Sequence, residues 1–235
     1  MQTLIRQLFS SAALVAAALL PQAQAQTTVL DFEGDALAGL YDPFFGDTFS
    51  QNGFTMTPGY DFGIVGKNID LQSIAPTGNS SQYYFNSNDG DLLITRTGGG
   101  TFSLDGFSAA FVPLLPAPSP AQTIVIVAYA FAADGTQFGT YFGLGTGVNN
   151  RFPFLTYSGA ADFGAFKNLL AVDFFGCVLT DSSVCSVLSR NNAQFALDNV
   201  VVTTPVPEPS TYALMALGLA GLAVLRNRRK SLGNR

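Results

Sequence analysis

Residues 123–143 read TIVIVAYAFAADGTQFGTYFG. Two runs rich in Val, Ile, Tyr and Phe, Thr123–Ala132 and Gln137–Gly143, flank the short segment Ala133-Asp134-Gly135. β-Branched and aromatic residues favour strands, and Asp and Gly tolerate the positive φ angles of a tight hairpin turn. This stretch therefore predicts an antiparallel β-hairpin.

Short runs of the same composition recur along the chain between clusters of Gly, Asn, Asp and Pro, and each predicts a strand. They are Thr28–Phe32, Phe54–Pro58, Gln82–Asn86, Asp91–Thr97, Gly100–Phe111, Phe152–Tyr157, Leu169–Cys177 and Phe195–Thr203. Only Ala160–Leu169 suggests a helix within this region. We predict an all-β fold, a two-sheet jelly-roll-like β-sandwich.

The aromatic composition is unusual, with 21 Phe and no Trp in 235 residues. Buried rings supply a large apolar area per residue, so most of these Phe side chains are expected between the two sheets. If exposed rings stack on sugars, Tyr83, Tyr84 and Tyr129 are the first candidates.

Charge limits the possible partners. From Asp31 to Asp198 there are 15 acidic and 5 basic residues, which gives this region a net charge of −10. Nucleic acid is an improbable partner because phosphate binding requires positive charge. An acidic surface suits an exported protein that stays soluble or meets divalent cations.

The chain contains no His, which excludes Ser-His-Asp, Cys-His and His-metal mechanisms. Glycoside hydrolysis by two carboxyl groups remains open. The candidates are Asp61, Asp70, Asp89, Asp91, Asp105, Asp162 and Asp173, and the sequence singles out no pair among them.

The N-terminus has the features of a signal peptide. Arg6 precedes an apolar segment from Leu8 to Leu20, and Ala23 and Ala25 are the small residues that a signal peptidase requires. We predict a signal helix within residues 1–25, cleavage before Gln26 and a single β-sandwich domain over residues 26–204.

The last segment, residues 205–235, has three parts in a fixed order. Val206, Pro207, Glu208, Pro209 and Ser210 come first, an uncharged apolar run from Tyr212 to Leu225 follows, and a basic cluster ends the segment. The cluster consists of Arg226, Arg228, Arg229 and Lys230. The apolar run predicts a single transmembrane helix whose C-terminal end stays in the cytoplasm.

This order resembles the PEP-CTERM sorting signal of Gram-negative bacteria. The resemblance implies export through the inner membrane, transient anchoring by the C-terminal helix, and cleavage near Pro-Glu-Pro by an exosortase-like membrane protease. The destination would be the cell surface or the extracellular matrix. Because such systems accompany polysaccharide production, exopolysaccharide is a possible partner.

Gln194, Phe195 and Asp198 form a Q-F-x-x-D sequence directly upstream of the tail. Together with the tail it resembles the QFxxD subgroup of PEP-CTERM proteins. Tails of this kind also carry the label of an ice-binding protein C-terminal motif, a name that implies no ice-binding activity here.

Two acidic segments lie at opposite ends of the predicted domain. The sandwich resembles the jelly-roll modules of carbohydrate-binding domains, whose first and last strands lie side by side, and this resemblance would bring Glu33 close to Asp198. A Ca²⁺ ion would join these carboxylates, with Asp31 or Asp35 and backbone carbonyls completing the shell. In the alternative interpretation, Glu33 caps a loop and Asp198 bonds to a turn.

Cys177 and Cys185 are the two cysteines. Exported chains commonly oxidise such pairs, and no zinc-binding pattern includes them, so the sequence favours a disulfide.

These features favour a non-enzymatic binding or structural protein at the cell surface. Two alternatives remain: a carbohydrate-binding module with a defined sugar site, and a glycosidase that uses two Asp residues.

Overall fold

The computed structural model describes residues 25–71, 74–87, 89–113, 123–179, 193–205 and 218. One compact unit, Thr27–Thr204, contains the sandwich. The other unit consists of Met1–Gln26 and Pro205–Arg235, of which only residues 25, 26, 205 and 218 are described.

Seven strands form the first sheet, in the order β11-β8-β13-β6-β5-β2, with β1 also paired to β13. Their bounds are β1 Gln26–Leu30, β2 Gly39–Tyr41, β5 Gly63–Gly66, β6 Tyr83–Asn86, β8 Ser103–Phe111, β11 Leu155–Ser158 and β13 Phe195–Thr204. The first and last strands of the domain are therefore neighbours, as the sequence predicted.

Six strands form the second sheet, in the order β10-β9-β12-β7-β4-β3. Their bounds are β3 Phe49–Gln51, β4 Phe54–Gly59, β7 Asp91–Arg96, β9 Thr123–Ala132, β10 Gln137–Gly143 and β12 Leu169–Leu179. The predicted β9–β10 hairpin is confirmed, with Gln137 opposite Phe131 and Gly143 opposite Val125.

Alternation along the strands places aromatic and aliphatic side chains between the sheets. In β4, Phe54, Met56 and Pro58 face inward while the residues between them are more exposed. Phe107 of β8 lies at the centre of a ring cluster, within 4.9–5.8 Å (centroid to centroid) of the four rings it packs against. Those rings belong to Phe142, Tyr157, Phe163 and Phe174. The two-sheet sandwich predicted from sequence is thereby confirmed.

The sequence missed β2, β3 and β5, which are three or four residues long. Runs this short carry too few alternating positions for a period of two to be recognised. The described helical turns are also short: Pro43–Phe45 is a 3₁₀ turn, and Asn68–Leu71 and Ala160–Phe163 are single α-helical turns.

Several predictions from sequence fall outside the described residues. These are the signal helix, including Ala23, the sorting residues 206–210, the basic residues 226–230 and Cys185. The predicted membrane helix from Tyr212 to Leu225 is likewise outside, apart from Gly218. Within the part of the chain that the structure describes, no helix has the length and apolar character needed to cross a membrane.

Replacing Phe107 by Ala tests the aromatic cluster. Phe107 is 1% exposed, so its truncation leaves a cavity and should lower the free energy of unfolding by about 3–5 kcal/mol. Phe44→Ala is the matched control, because Phe44 is 82% exposed and its loss should change stability by less than about 0.5 kcal/mol. Urea unfolding followed by circular dichroism measures both variants, and equal losses of stability would contradict this placement of the core.

Candidate metal centre

β1 and β13 approach each other along the first sheet and bring two acidic segments together. The Thr27 and Thr203 hydroxyl oxygens lie 3.1 Å apart. Near the middle of β13 the register with β8 shifts between Asp198 and Val201, and Asn199 takes a left-handed φ of 51°. A bulge of this kind redirects side chains, here at Asp198.

Asp198 is a carboxylate enclosed within the sandwich, with 0% of its surface exposed. Asn79 Nδ2 donates to Asp198 Oδ2 at 2.6 Å and Ser81 Oγ donates to the same oxygen at 3.2 Å. The backbone N–H of Asn199 donates to Oδ1 at 2.7 Å. These donors hold the carboxylate in one orientation, but they supply no positive charge to balance it.

The electrostatics of this position oppose ionisation. The pKa of Asp198 is raised to about 6, chiefly by burial and to a smaller extent by the negative charge of Glu33. The hydrogen bonds from Asn79, the Asn199 N–H and Ser81 act in the opposite direction and lower the pKa. A cation bound between Glu33 and Asp198 would offset both unfavourable effects.

The segment that follows β1 turns its backbone toward the same place. Phe32 is fully buried yet adopts a left-handed φ of 54°, a conformation that costs about 1–3 kcal/mol for a residue other than Gly. Glu33 Oε1 accepts a hydrogen bond from the backbone N–H of Gln82 at 2.9 Å. Glu33 thus contacts the residue directly before β6, the strand that lies beside β13.

The buried side chain of Gln82 lies against the segment that follows β1. Its amide nitrogen donates to the carbonyl oxygens of Phe32 and Gly34 at 3.0 and 3.3 Å. These hydrogen bonds, with the one from the Gln82 N–H to Glu33, join that segment to the residue before β6.

A calcium ion between Glu33 and Asp198 stays a prediction. Ca²⁺ takes six to eight oxygen ligands, so backbone carbonyls or water would have to complete the shell around these two carboxylates. Among the described residues no three His, Cys, Asp or Glu side chains form a metal-binding group.

Asp31 fastens the end of β1 to the second sheet. Its Oδ1 accepts from Gln51 Nε2 at 2.7 Å and from the Glu33 N–H at 3.2 Å, while Gln51 Oε1 accepts from the Phe32 N–H at 3.1 Å. Gln51 belongs to the second sheet. Calcium binding by Asp31 or Asp35 stays a prediction.

The Q-F-x-x-D sequence has a structural explanation. Gln194 and Phe195 are buried with Asp198, Phe195 packs against Tyr84, and the Gln194 carbonyl accepts from the Val112 N–H at 3.1 Å. Cys177 is also buried. The described part of the chain holds no free cysteine. The pairing of Cys177 with Cys185 stays a prediction.

A second pair of carboxyl groups, Asp91 and Asp173, meets on the outer face of the second sheet. They are hydrogen-bonded to each other, and Asp91 lies over Gly59, where an added Cβ would be 1.9 Å from Asp91 Oδ1. Oδ1 of each Asp is buried with no hydrogen-bond partner among the described residues. Glycosidase carboxyl groups are about 5 Å or more apart, which is farther than this contact.

The pKa of Asp173 is raised to about 7, chiefly by burial and then by the charge of Asp91. Burial also raises the pKa of Asp91. Above pH about 4, the unfolded chain has released this proton, whereas the folded pair still holds it. The contribution of the pair to the free energy of unfolding is therefore full below that pH and is lost as the pH rises toward about 7.

Calcium should stabilise the protein through Asp198. At a free Ca²⁺ concentration about 100 times the dissociation constant, we expect a gain of about 2.7 kcal/mol, or roughly 5–10 °C in melting temperature. The increase should be smaller at pH 5 than at pH 7, because protons compete for Asp198. Asp198→Asn should lose the response to calcium in a thermal melt with and without EDTA.

Asp105→Asn is the control, since Asp105 forms an exposed ion pair with Lys167 at 2.7 Å outside the site. It should respond to calcium as the wild type does. A wild-type melting temperature that is the same in calcium and in EDTA would rule out the site.

The carboxyl pair predicts a separate pH dependence. The free energy of unfolding of the wild type should fall as the pH rises from 5 to 7. Asp173→Asn should reduce this fall by about 1 kcal/mol per pH unit, because the amide needs no shared proton. Asp134→Asn serves as the comparison, since hydrogen bonds from Thr136 lower the pKa of that exposed Asp. Parallel stability curves for the wild type and Asp173→Asn would contradict proton sharing.

Residues 205–230 match the family model of the PEP-CTERM protein-sorting motif. A search of curated proteins found no match to the chain. The model match supports the predicted sorting signal, while membership of the QFxxD subgroup stays a prediction.

Solved structures with partial similarity include a DUF4465 family protein from Bacteroides caccae, with 14% identity and a TM-score of 0.45 over 76% of this chain and 86% of that one. The carbohydrate-binding module TmCBM61, solved with β-1,4-galactotriose, has 9% identity and a TM-score of 0.32 over 66% of this chain and 90% of that one. The enzymatically active domain of tailspike protein 4 from bacteriophage CBA120 has 15% identity and a TM-score of 0.30 over 66% of this chain and 20% of that one. At these values the similarities assign no function. The chain is a protein that carries a PEP-CTERM sorting motif, and this motif indicates export.

Proposed function

We propose that this protein is a non-enzymatic β-sandwich that is exported, anchored briefly in the inner membrane and delivered to the cell surface or extracellular matrix. An exosortase-like protease would process its tail, and its partner there would be exopolysaccharide. The observation that carries this proposal is the sorting motif at residues 205–230.

The position of the motif supports sorting of an intact domain. β13 ends at Thr204, and the motif begins at the next residue. β13 lies inside its sheet between β8 and β6. Cleavage near Pro207-Glu208-Pro209 would therefore leave every strand of the sandwich in place.

The candidate calcium site suits an extracellular module. Sites in extracellular modules bind Ca²⁺ with dissociation constants of about 10⁻⁴–10⁻³ M, compatible with the calcium available outside a cell. A cation between Glu33 and Asp198 would fasten the first strand to the last. Because β13 also connects to the tail, such a tie would stabilise the strand that carries the anchor.

A structural or binding role accounts for the acidic groups better than catalysis does. The chain has no His, and Asp91 and Asp173 are in hydrogen-bond contact without the gap that a sugar or water needs. The alternative of a carbohydrate-binding module keeps the same export route and adds a defined sugar site. The two-Asp glycosidase has the least support.

Intact mass of the protein from native cells, separated into membrane and released fractions, tests the sorting proposal. We expect released protein that begins near Gln26 and ends near the Pro-Glu-Pro sequence. Glu208→Ala should keep the tail and remain in the inner-membrane fraction. Pro118→Ala, a substitution outside the motif, should be processed normally.

Two results would overturn the proposal. One is release of the Glu208→Ala protein with the same shortened mass as the wild type. The other is a wild-type protein that keeps Tyr212 to Leu225 in every fraction, which would make the tail a permanent anchor.

A further inference from the structure

The most exposed large hydrophobic residues of the described chain are two neighbouring rings between β2 and β3. Phe44 is 82% exposed and Phe45 is 83% exposed. In a protein that buries most of its Phe residues, two adjacent rings in solvent are a notable departure. Apolar side chains grouped in this way mark an interaction site more often than a single exposed one does.

Hydrogen bonds hold the turn that displays these rings. Asp42 Oδ1 accepts from the Phe44 N–H at 2.9 Å, and Asp47 Oδ2 accepts from the Asp42 N–H at 3.0 Å. The Gly46 N–H donates to the Pro43 carbonyl at 3.0 Å, and Gly46 has a left-handed φ of 74°. The backbone that carries the rings is thus held in place, which lowers the entropy lost on binding.

The register of the first sheet places this turn at one end of the sandwich. Tyr41, the last residue of β2, is opposite Gly63, and Gly63 is opposite Asn86. Asn86 Oδ1 accepts from the Phe195 N–H at 2.7 Å. The turn therefore continues from the end of the sheet at which β13 begins.

A third exposed ring lies at the same end. The 3₁₀ turn lies against β4, and Tyr60 directly follows Gly59, the last residue of β4. Tyr60 is 67% exposed. We call Phe44, Phe45 and Tyr60 the aromatic tip.

The aromatic tip is at the opposite end from the point where the tail begins. β13 runs for ten residues from Phe195 to Thr204, a rise of about 3.3 Å per residue or roughly 30 Å. A partner that binds the tip would approach the end of the domain that is farthest along β13 from the sorting motif.

Charge restricts what that partner is. The domain carries ten net negative charges, and Asp42 and Asp47 flank the rings. Anionic lipid, acidic glycans and a second copy of this acidic domain would all be repelled. A neutral polymer with apolar faces and hydroxyl donors would not.

Neutral polysaccharide has this chemistry. The C–H face of a sugar ring packs on an aromatic ring, and sugar hydroxyls donate to carboxylates. Asp42 Oδ2 and Asp47 Oδ1 are not used in the hydrogen bonds that hold the turn, which leaves them as acceptors beside the rings. Tyr83 and Tyr84, the candidates from sequence, are 1% and 0% exposed and are wrong as stacking residues.

We propose that the aromatic tip is a binding site for neutral polysaccharide, with Phe44 and Phe45 as stacking platforms and Asp42 and Asp47 as hydroxyl acceptors. This inference rests on the proposed function at the cell surface and names the ligand class and the site.

Affinity electrophoresis of the full chain in non-ionic detergent tests the inference, with gels containing a neutral β-glucan, a neutral galactan or the anionic polymer alginate. We expect at least one neutral polymer to retard the wild type and alginate to have no effect. The double variant Phe44→Ala/Phe45→Ala should lose at least tenfold in affinity. Tyr141→Ala, at a ring in β10 that is 55% exposed, should bind as the wild type does.

Thermal melts should show that the double variant is folded, since both rings lie in solvent. Failure of both neutral polymers to retard the wild type would overturn the inference, as would undiminished binding by the double variant. Two other measurements could assign the tip to a different partner, namely binding to anionic lipid vesicles and self-association followed by light scattering. Either interaction, if the wild type showed it and the double variant did not, would overturn the inference in favour of that partner. The mass of the released protein remains an independent test of sorting, so the two proposals fail separately.

Discussion

The enclosed carboxylate of Asp198 is the constraint on which the rest of this sandwich depends. It lies on a strand inside the first sheet, next to the first strand of the domain, and a nearby glutamate adds a second negative charge. Three hydrogen bonds orient it without neutralising it. A buried charge persists only when the surrounding structure compensates for it, and a cation bound between Asp198 and Glu33 would do so.

Several irregular features of the fold lie near Asp198. Phe32, two residues after the end of β1, and Asn199 of β13 adopt left-handed conformations, and β13 changes register beside Asp198. Gln51 reaches from the second sheet to fasten the end of β1. Other described residues with left-handed φ angles, such as Asn52 and Asn168, lie elsewhere in the fold.

Alternation and turn residues were enough to predict the sandwich and ten of its thirteen strands. The β9–β10 hairpin was predicted with its correct bounds, since its two long runs flank a clear turn. The pairing of β1 with β13 could be expected from a resemblance to jelly-roll modules, and calcium binding by Glu33 and Asp198 stays a prediction. The contacts of Gln82 with the carbonyls of Phe32 and Gly34 could not be found in this way, because a neutral amide and a backbone conformation leave no pattern in the sequence. The contact between Asp91 and Asp173 depends on the register between β7 and β12, which periodicity alone does not determine.

The most direct test of the central claim is a crystal structure of the mature protein grown with calcium at neutral pH. The account predicts one ion about 2.3–2.6 Å from its oxygen ligands, among them the carboxylates of Glu33 and Asp198. An anomalous signal would identify the ion. A structure with no ion between these two carboxylates would contradict the claim that calcium joins the first and last strands.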